Sequence, residues 1–116
     1  MNVTDMAVLS AKAIDKRRGE NVTIIDIGGK SSIADYMILG SGASERLIAA
    51  LRDEVEETLA KEGIFVKTIE GKKESGWILM DYGDIIVNLM TNSSREKYNL
   101  ETIWGDCDII PFETEE

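Results

Sequence analysis

The chain has 116 residues, with 13 Lys+Arg against 22 Asp+Glu and a net charge of −9, and its 43% hydrophobic content rules out global disorder. That length fits one domain with a single core. The absence of histidine, with Cys107 as the one cysteine, excludes Ser-His-Asp triads, Cys–His pairs, Cys/His zinc sites and internal disulfides. The acidic excess argues against wrapping a phosphate backbone, which needs Lys and Arg.

Residues 4–18 carry Met6, Leu9, Ala13 and Ile14 at helical spacing and predict an amphipathic helix capped by Thr4 or Asp5. Lys16, Arg17 and Arg18 suit the negative end of its dipole, and Gly19 stops it. The β-branched run Val22, Thr23, Ile24, Ile25 and Ile27 predicts a strand over 21–27. Gly28–Ser32 reads as a loop, and Asp35–Leu39 as a second strand entering a small-residue loop, Gly40-Ser41-Gly42-Ala43. Ser44 is a natural N-cap for the longest helix, 44–62, whose apolar stripe is Leu47, Ile48, Leu51, Val55 and Leu59. Glu57 and Lys61 form a favourably ordered pair one turn apart, and Gly63 ends the helix.

Ile64–Ile69 predicts a third strand, followed by a charged turn over 70–74. Trp77–Met80 and Ile85–Met90 predict two more, joined as a hairpin through Asp81-Tyr82-Gly83-Asp84. Ser93 or Ser94 caps a short helix through Lys97, and residues 98–104 give another helical turn. Residues 106–116 read as an acidic C-terminal tail, frayed at Pro111 and over 113–116. The order α-β-β-α-β-β-β-α predicts an α/β fold with a single mixed sheet of about five strands and helices packed on it. The unit at 35–69 is expected to be a parallel right-handed crossover. No apolar run approaches the ~18 residues that span a bilayer and no secretory signal is expected, which points to the cytoplasm.

Three segments invite a chemical reading. Gly28-Gly29-Lys30-Ser31 resembles part of a phosphate loop, but Ile24 stands where the pattern needs glycine, and a strand follows instead of a helix. Gly40-Ser41-Gly42 lies before a helix start, yet Glu45 at the third glycine position would repel phosphate, so a tight turn is the simpler reading. Asp81 and Asp84 bracket a turn and with Asp35 would make a hard-cation site only if all three converged. The aromatics are more informative: Trp77, Tyr82, Tyr98 and Trp104 crowd the C-terminal third. In a strand Trp77 and Leu79 share one face while Ile78 and Met80 share the other, so one pair can fill a core and leave the other on a surface. Core packing of both tryptophans is the alternative. Tyr, Trp and Arg are typical anchors of protein interfaces.

Four ordered pieces carry a more specific likeness: 35–42 (DYMILGSG), Glu70-Gly71, 76–88 (GWILMDYGDIIVN) and 95–104 (REKYNLETIW). Together they resemble the ribosomal silencing factor family, also called Iojap-like, from the first helix to Trp104, and mark 1–105 as that domain. The resemblance implies an α/β domain similar to nucleotidyltransferases without their catalytic acids. It implies no enzymatic activity and no cofactor. It also implies binding to the large ribosomal subunit through ribosomal protein L-fourteen, which blocks joining of the small subunit when nutrients are scarce. Family members are prone to homodimerise. Two positions depart from the family's habit: Asn88 stands where His is usual, and Met37 where Phe is frequent. The contact face expected from this likeness and the aromatic cluster comprises Trp77, Leu79, Asp81, Tyr82, Arg95, Tyr98 and Glu101. Trp77 and Tyr98 are its apolar anchors, and Asp81 and Glu101 its partners for Lys or Arg. The competing expectation is a magnesium-dependent nucleotidyltransferase-like enzyme using Asp35, Asp81 or Asp84.

Overall fold

Helix α1 (Val3–Lys16) is capped by Asn2 and not by Thr4 or Asp5. The Asn2 side chain accepts from the Asp5 backbone N–H, and the Asp5 carboxylate accepts from the Asn2 N–H, which satisfies two end donors at once. At the other end the left-handed residue is Arg18, with φ 65°. Gly19 serves a different need, since a Cβ there would lie 2.3 Å from the Ile14 side chain.

Strand β1 (Glu20–Asp26) falls where the β-branched run places it, and β2 spans Tyr36–Gly42. The expected loop at Gly40–Gly42 is therefore the end of β2. Its small residues make room for a helix: a Cβ on Gly40 would lie 2.7 Å from Ile14 of α1. Ser44 caps α2 (Glu45–Ala60) by accepting from the Leu47 N–H at 3.1 Å, and Ile48, Leu51, Val55 and Leu59 are its buried stripe.

The third strand is displaced. β3 is Thr68–Lys72, entirely exposed, while Ile64 and Val66 pack on the core from the connecting segment. After a 3₁₀ turn at Lys73–Ser75 come β4 (Trp77–Asp81) and β5 (Ile85–Thr91). Thr91 caps α3 (Asn92–Tyr98), in place of Ser93 or Ser94. Asn99 at φ 45° separates it from the single turn α4 (Leu100–Ile103). Ile109–Ile110 forms β6 against β1, so the segment read as tail contributes a sixth strand. The computed structural model describes residues 1–113, and the rest of the expected frayed tail, 114–116, lies outside the described residues.

The sheet order is β3-β4-β5-β2-β1-β6. β2 runs parallel to β5, and the other neighbouring pairs are antiparallel. The crossover expected between β2 and its following strand thus joins non-neighbours. β3 has the direction of β2, but β4 and β5 lie between them because the β3-β4-β5 meander folds back into the gap. α1 and α2 cover one face, over Ile24, Ile38, Ile78, Met80, Val87 and Leu89. Each fully buried aliphatic side chain of this kind stabilises by ~1.5–3 kcal/mol. The other face carries Ile25, Met37, Leu39, Ile86 and Met90, packed by Leu100, Trp104 and Cys107. Among the described residues no helix is long and apolar enough to cross a membrane.

Candidate functional site

Strand alternation sends Trp77, Leu79 and Asp81 of β4 to the face away from α1 and α2. Their cross-strand partners on β5 are Met90, Asn88 and Ile86, and on β3 they are Lys72, Glu70 and Thr68. α4 and the segment after it pack over the middle of this face, whereas Trp77 and Leu79 toward its β3 edge are only half-buried. Tyr98, the last residue of α3, packs on Trp77 with ring centroids 4.9 Å apart and planes tilted by 41°. Lys97 places its ammonium 5.3 Å from the Tyr98 ring centre. Trp77, Leu79, Tyr98, Glu70, Gly71 and Ser75 enclose a shallow cavity of about 320 Å³.

Trp77 is fixed from below. Its indole N–H donates to the Asn88 side-chain oxygen at 2.8 Å. Because an indole can only donate, this bond sets the orientation of the amide. The Asn88 Nδ2 is then buried without a hydrogen-bond partner among the described residues, a cost of about 1–3 kcal/mol. Asn88 therefore supplies an acceptor, and no titratable group, beneath the indole.

The seven residues expected to share the contact face divide into groups. Trp77, Leu79 and Tyr98 come together as expected. Asp81 lies on the same face, but its Oδ1 accepts from the Gly83 N–H at 2.7 Å and stabilises the hairpin turn. Tyr82, one step further along the alternation, points to the opposite face, 4% exposed in the core under α1 and α2. Burial, with Glu56 nearby, pushes its hydroxyl pKa up to about 12. Tyr82 is thus a core residue and does not belong to the contact face.

Arg95 is also buried, at 8% exposure. Its guanidinium donates to Glu101 and Thr23 Oγ1, each at 3.2 Å, and to the Asn21 carbonyl, so it ties α3 and α4 to β1. Glu101 is engaged by Arg95, and the pair lines a separate polar crevice of about 730 Å³ with Asn92, Glu96 and Asn99. Arg95 and Glu101 accordingly act within the fold. Three cavity residues were not among the site residues expected from the sequence: Glu70, Gly71 and Ser75. Extending the alternation of β4 across to β3 would have found Glu70, had the strand been placed correctly.

The remaining motifs are structural. Lys30 bonds Asp106, which raises the Lys30 pKa and holds the Asp106 carboxyl below its ordinary value. The Asp35 N–H donates to the Asp84 backbone carbonyl at 2.8 Å. Among the described residues no three His, Cys, Asp or Glu side chains group as a metal site would require.

Fold and site together define a small α/β domain with one sheet face half covered and an aromatic pair at its open end. The profile of the family described as "Ribosomal silencing factor during starvation" matches residues 1–116. A ribosomal silencing factor from Bacillus subtilis is 35% identical, over 97% of this chain and 96% of its own. A mouse protein named for mitochondrial assembly of the ribosomal large subunit is 28% identical, over 77% of this chain and 40% of its own. A crystal structure of a Chromobacterium violaceum protein superposes with a TM-score of 0.87 at 28% identity, covering 90% of this chain and 88% of that one. The chain belongs to the ribosomal silencing factor family.

Proposed function

We propose that this chain is a cytoplasmic translational repressor that docks on ribosomal protein L-fourteen of the large subunit and sterically blocks joining of the small subunit. It works by binding, without catalysis. The observation that carries this reading is the half-exposed Trp77–Tyr98 pair beside Leu79 on the open part of the sheet. Half-exposed aromatics bordering a shallow apolar recess are the usual anchors of a protein interface. Family membership supports the ribosome as the partner, and the mouse relative's name points to the large subunit. Ribosomal protein surfaces are basic, so the net charge of −9 favours orientation and rate of encounter. Glu70, at the rim of the recess, takes the Lys- or Arg-pairing role first assigned to Glu101.

The test is sedimentation of the chain with purified subunits at low and high salt. The wild type should comigrate with large subunits and reduce reassociated ribosomes. Isolated L-fourteen should compete for it. Trp77→Ala should weaken binding about 30-fold, which corresponds to ~2 kcal/mol. Unchanged binding by a folded Trp77→Ala protein would falsify the assignment. Nucleotide turnover that needs magnesium and disappears in Asp81→Asn would replace it with the enzymatic one.

A further inference from the structure

We propose that Asn88 is a positioning residue for the contact face: its amide oxygen holds the Trp77 indole in the tilt against Tyr98 that shapes the recess. The inference rests on the reading that Trp77 anchors the partner. Asn88 is 1% exposed and is absent from the cavity lining, so a docked protein meets Trp77 and Tyr98 but not the amide. Between Ile85 and Met90 every other β5 residue is aliphatic or Met, and all six are buried. An aliphatic side chain at position 88 would fill that space without stranding a donor. The amide leaves Nδ2 buried with no partner among the described residues, and in return gives the Trp77 indole N–H an acceptor on β5.

A half-buried indole without that bond has more than one staggered orientation open to it. The bond selects the one whose plane lies 41° from Tyr98. Setting the anchor before docking removes an ordering cost that association would otherwise carry. The Asn88 oxygen reaches the indole N–H at 2.8 Å.

The experiment is a double-mutant cycle on binding to purified large subunits, with Asn88→Leu, Trp77→Phe and their combination, each checked for folding by circular dichroism. Asn88→Leu should weaken binding by about five- to tenfold, the worth of one positioned hydrogen bond. In the Trp77→Phe background no N–H remains to be held, and the same change should alter affinity by less than about twofold. In a Trp104→Phe background Trp77 is the single tryptophan, and Asn88→Leu should shift its emission in the free protein. Asn88→His, measured at about pH 8 where the neutral ring offers an acceptor, should restore most of the affinity. That variant also decides the matter if the leucine protein does not fold. Equal losses with and without the indole N–H would overturn the inference, since they would mark a general packing effect. Loss of binding in Trp77→Ala but not in Asn88→Leu overturns this inference alone. Unchanged binding in Trp77→Ala overturns it together with the docking reading.

Discussion

The two faces of the sheet are built from the same alternating strands and end differently. Along β5, Ile85, Val87 and Leu89 go to one face, and Ile86, Asn88 and Met90 to the other. The first face is closed by two long helices, whose stripes place Ile14, Ile48, Leu51, Val55 and Leu59 wholly out of water. The second is closed by one helical turn and a loop, which reach Trp104 and Cys107 over the middle strands and leave the β3–β4 end open. Burial on the first face stabilises the fold. Half-burial on the second leaves apolar area exposed around the Trp77–Tyr98 pair, the area on which the proposed docking rests.

That contrast can be broken first at its strongest point. Leu51→Ala on the closed face should cost about 2–5 kcal/mol in denaturant unfolding, because the well-packed site cannot collapse around the cavity. Trp77→Ala should do the reverse, losing ribosome binding while keeping most of the stability. A similar loss of stability in both would mean that the open face is core after all.

Arg95→Met tests whether the α3 clamp belongs to the fold. Loss of its bonds to Glu101, Thr23 and the Asn21 carbonyl should cost about 1.5–3 kcal/mol of unfolding free energy. Affinity measured on the folded fraction should change little, and a large specific loss of affinity would return Arg95 to the contact face.

Tyr82→Phe sharpens the comparison from the closed side. Its hydroxyl is buried without a partner among the described residues, so removing it should raise stability by about 1 kcal/mol near neutral pH. The folded pKa, pushed up to about 12, lies above the ordinary tyrosine value. The neutral form is therefore favoured by folding; that stability is present below about pH 10 and lost as pH rises toward 12. Tyr82→Phe should flatten this decline in stability between pH 10 and 12, measured by denaturation at several alkaline pH values. The smallest effect belongs to Glu57→Ala, which removes an exposed pair with Lys61 at 3.6 Å and should cost only about 0.2–0.5 kcal/mol.

Much of the fold was legible because its signals are local. The Ser44 cap, the α2 stripe and the two apolar runs around Asp81–Asp84 fell where spacing put them. Other elements depended on neighbours. Gly40–Gly42 looks like a turn in isolation but is a strand lined with small residues because α1 passes against it. The sequence pattern puts β3 four residues early because Ile64 and Val66 resemble strand residues, although they pack from a loop. Thr68–Lys72 carries little apolar signal because an exposed edge strand does not need one. That Trp77, Leu79 and Tyr98 meet at one recess was readable from strand alternation and the aromatic cluster. The pairing of Arg95 with Glu101 was not, since nothing local says that two opposite charges will meet each other before they meet a partner.

The acidic balance of −9, the absence of histidine, the two amphipathic helices and the family to which the chain belongs follow from the order of its residues alone. These depend on counts, on periods of two and 3.6 residues, and on ordered motifs, all of which are properties of the chain alone. Packing in three dimensions sets β5 as the parallel neighbour of β2, turns Tyr82 into the core and brings Asn88 to the Trp77 indole. Those outcomes join residues distant along the chain or on opposite faces, and their energies exist only once packing has brought the groups within a few ångströms.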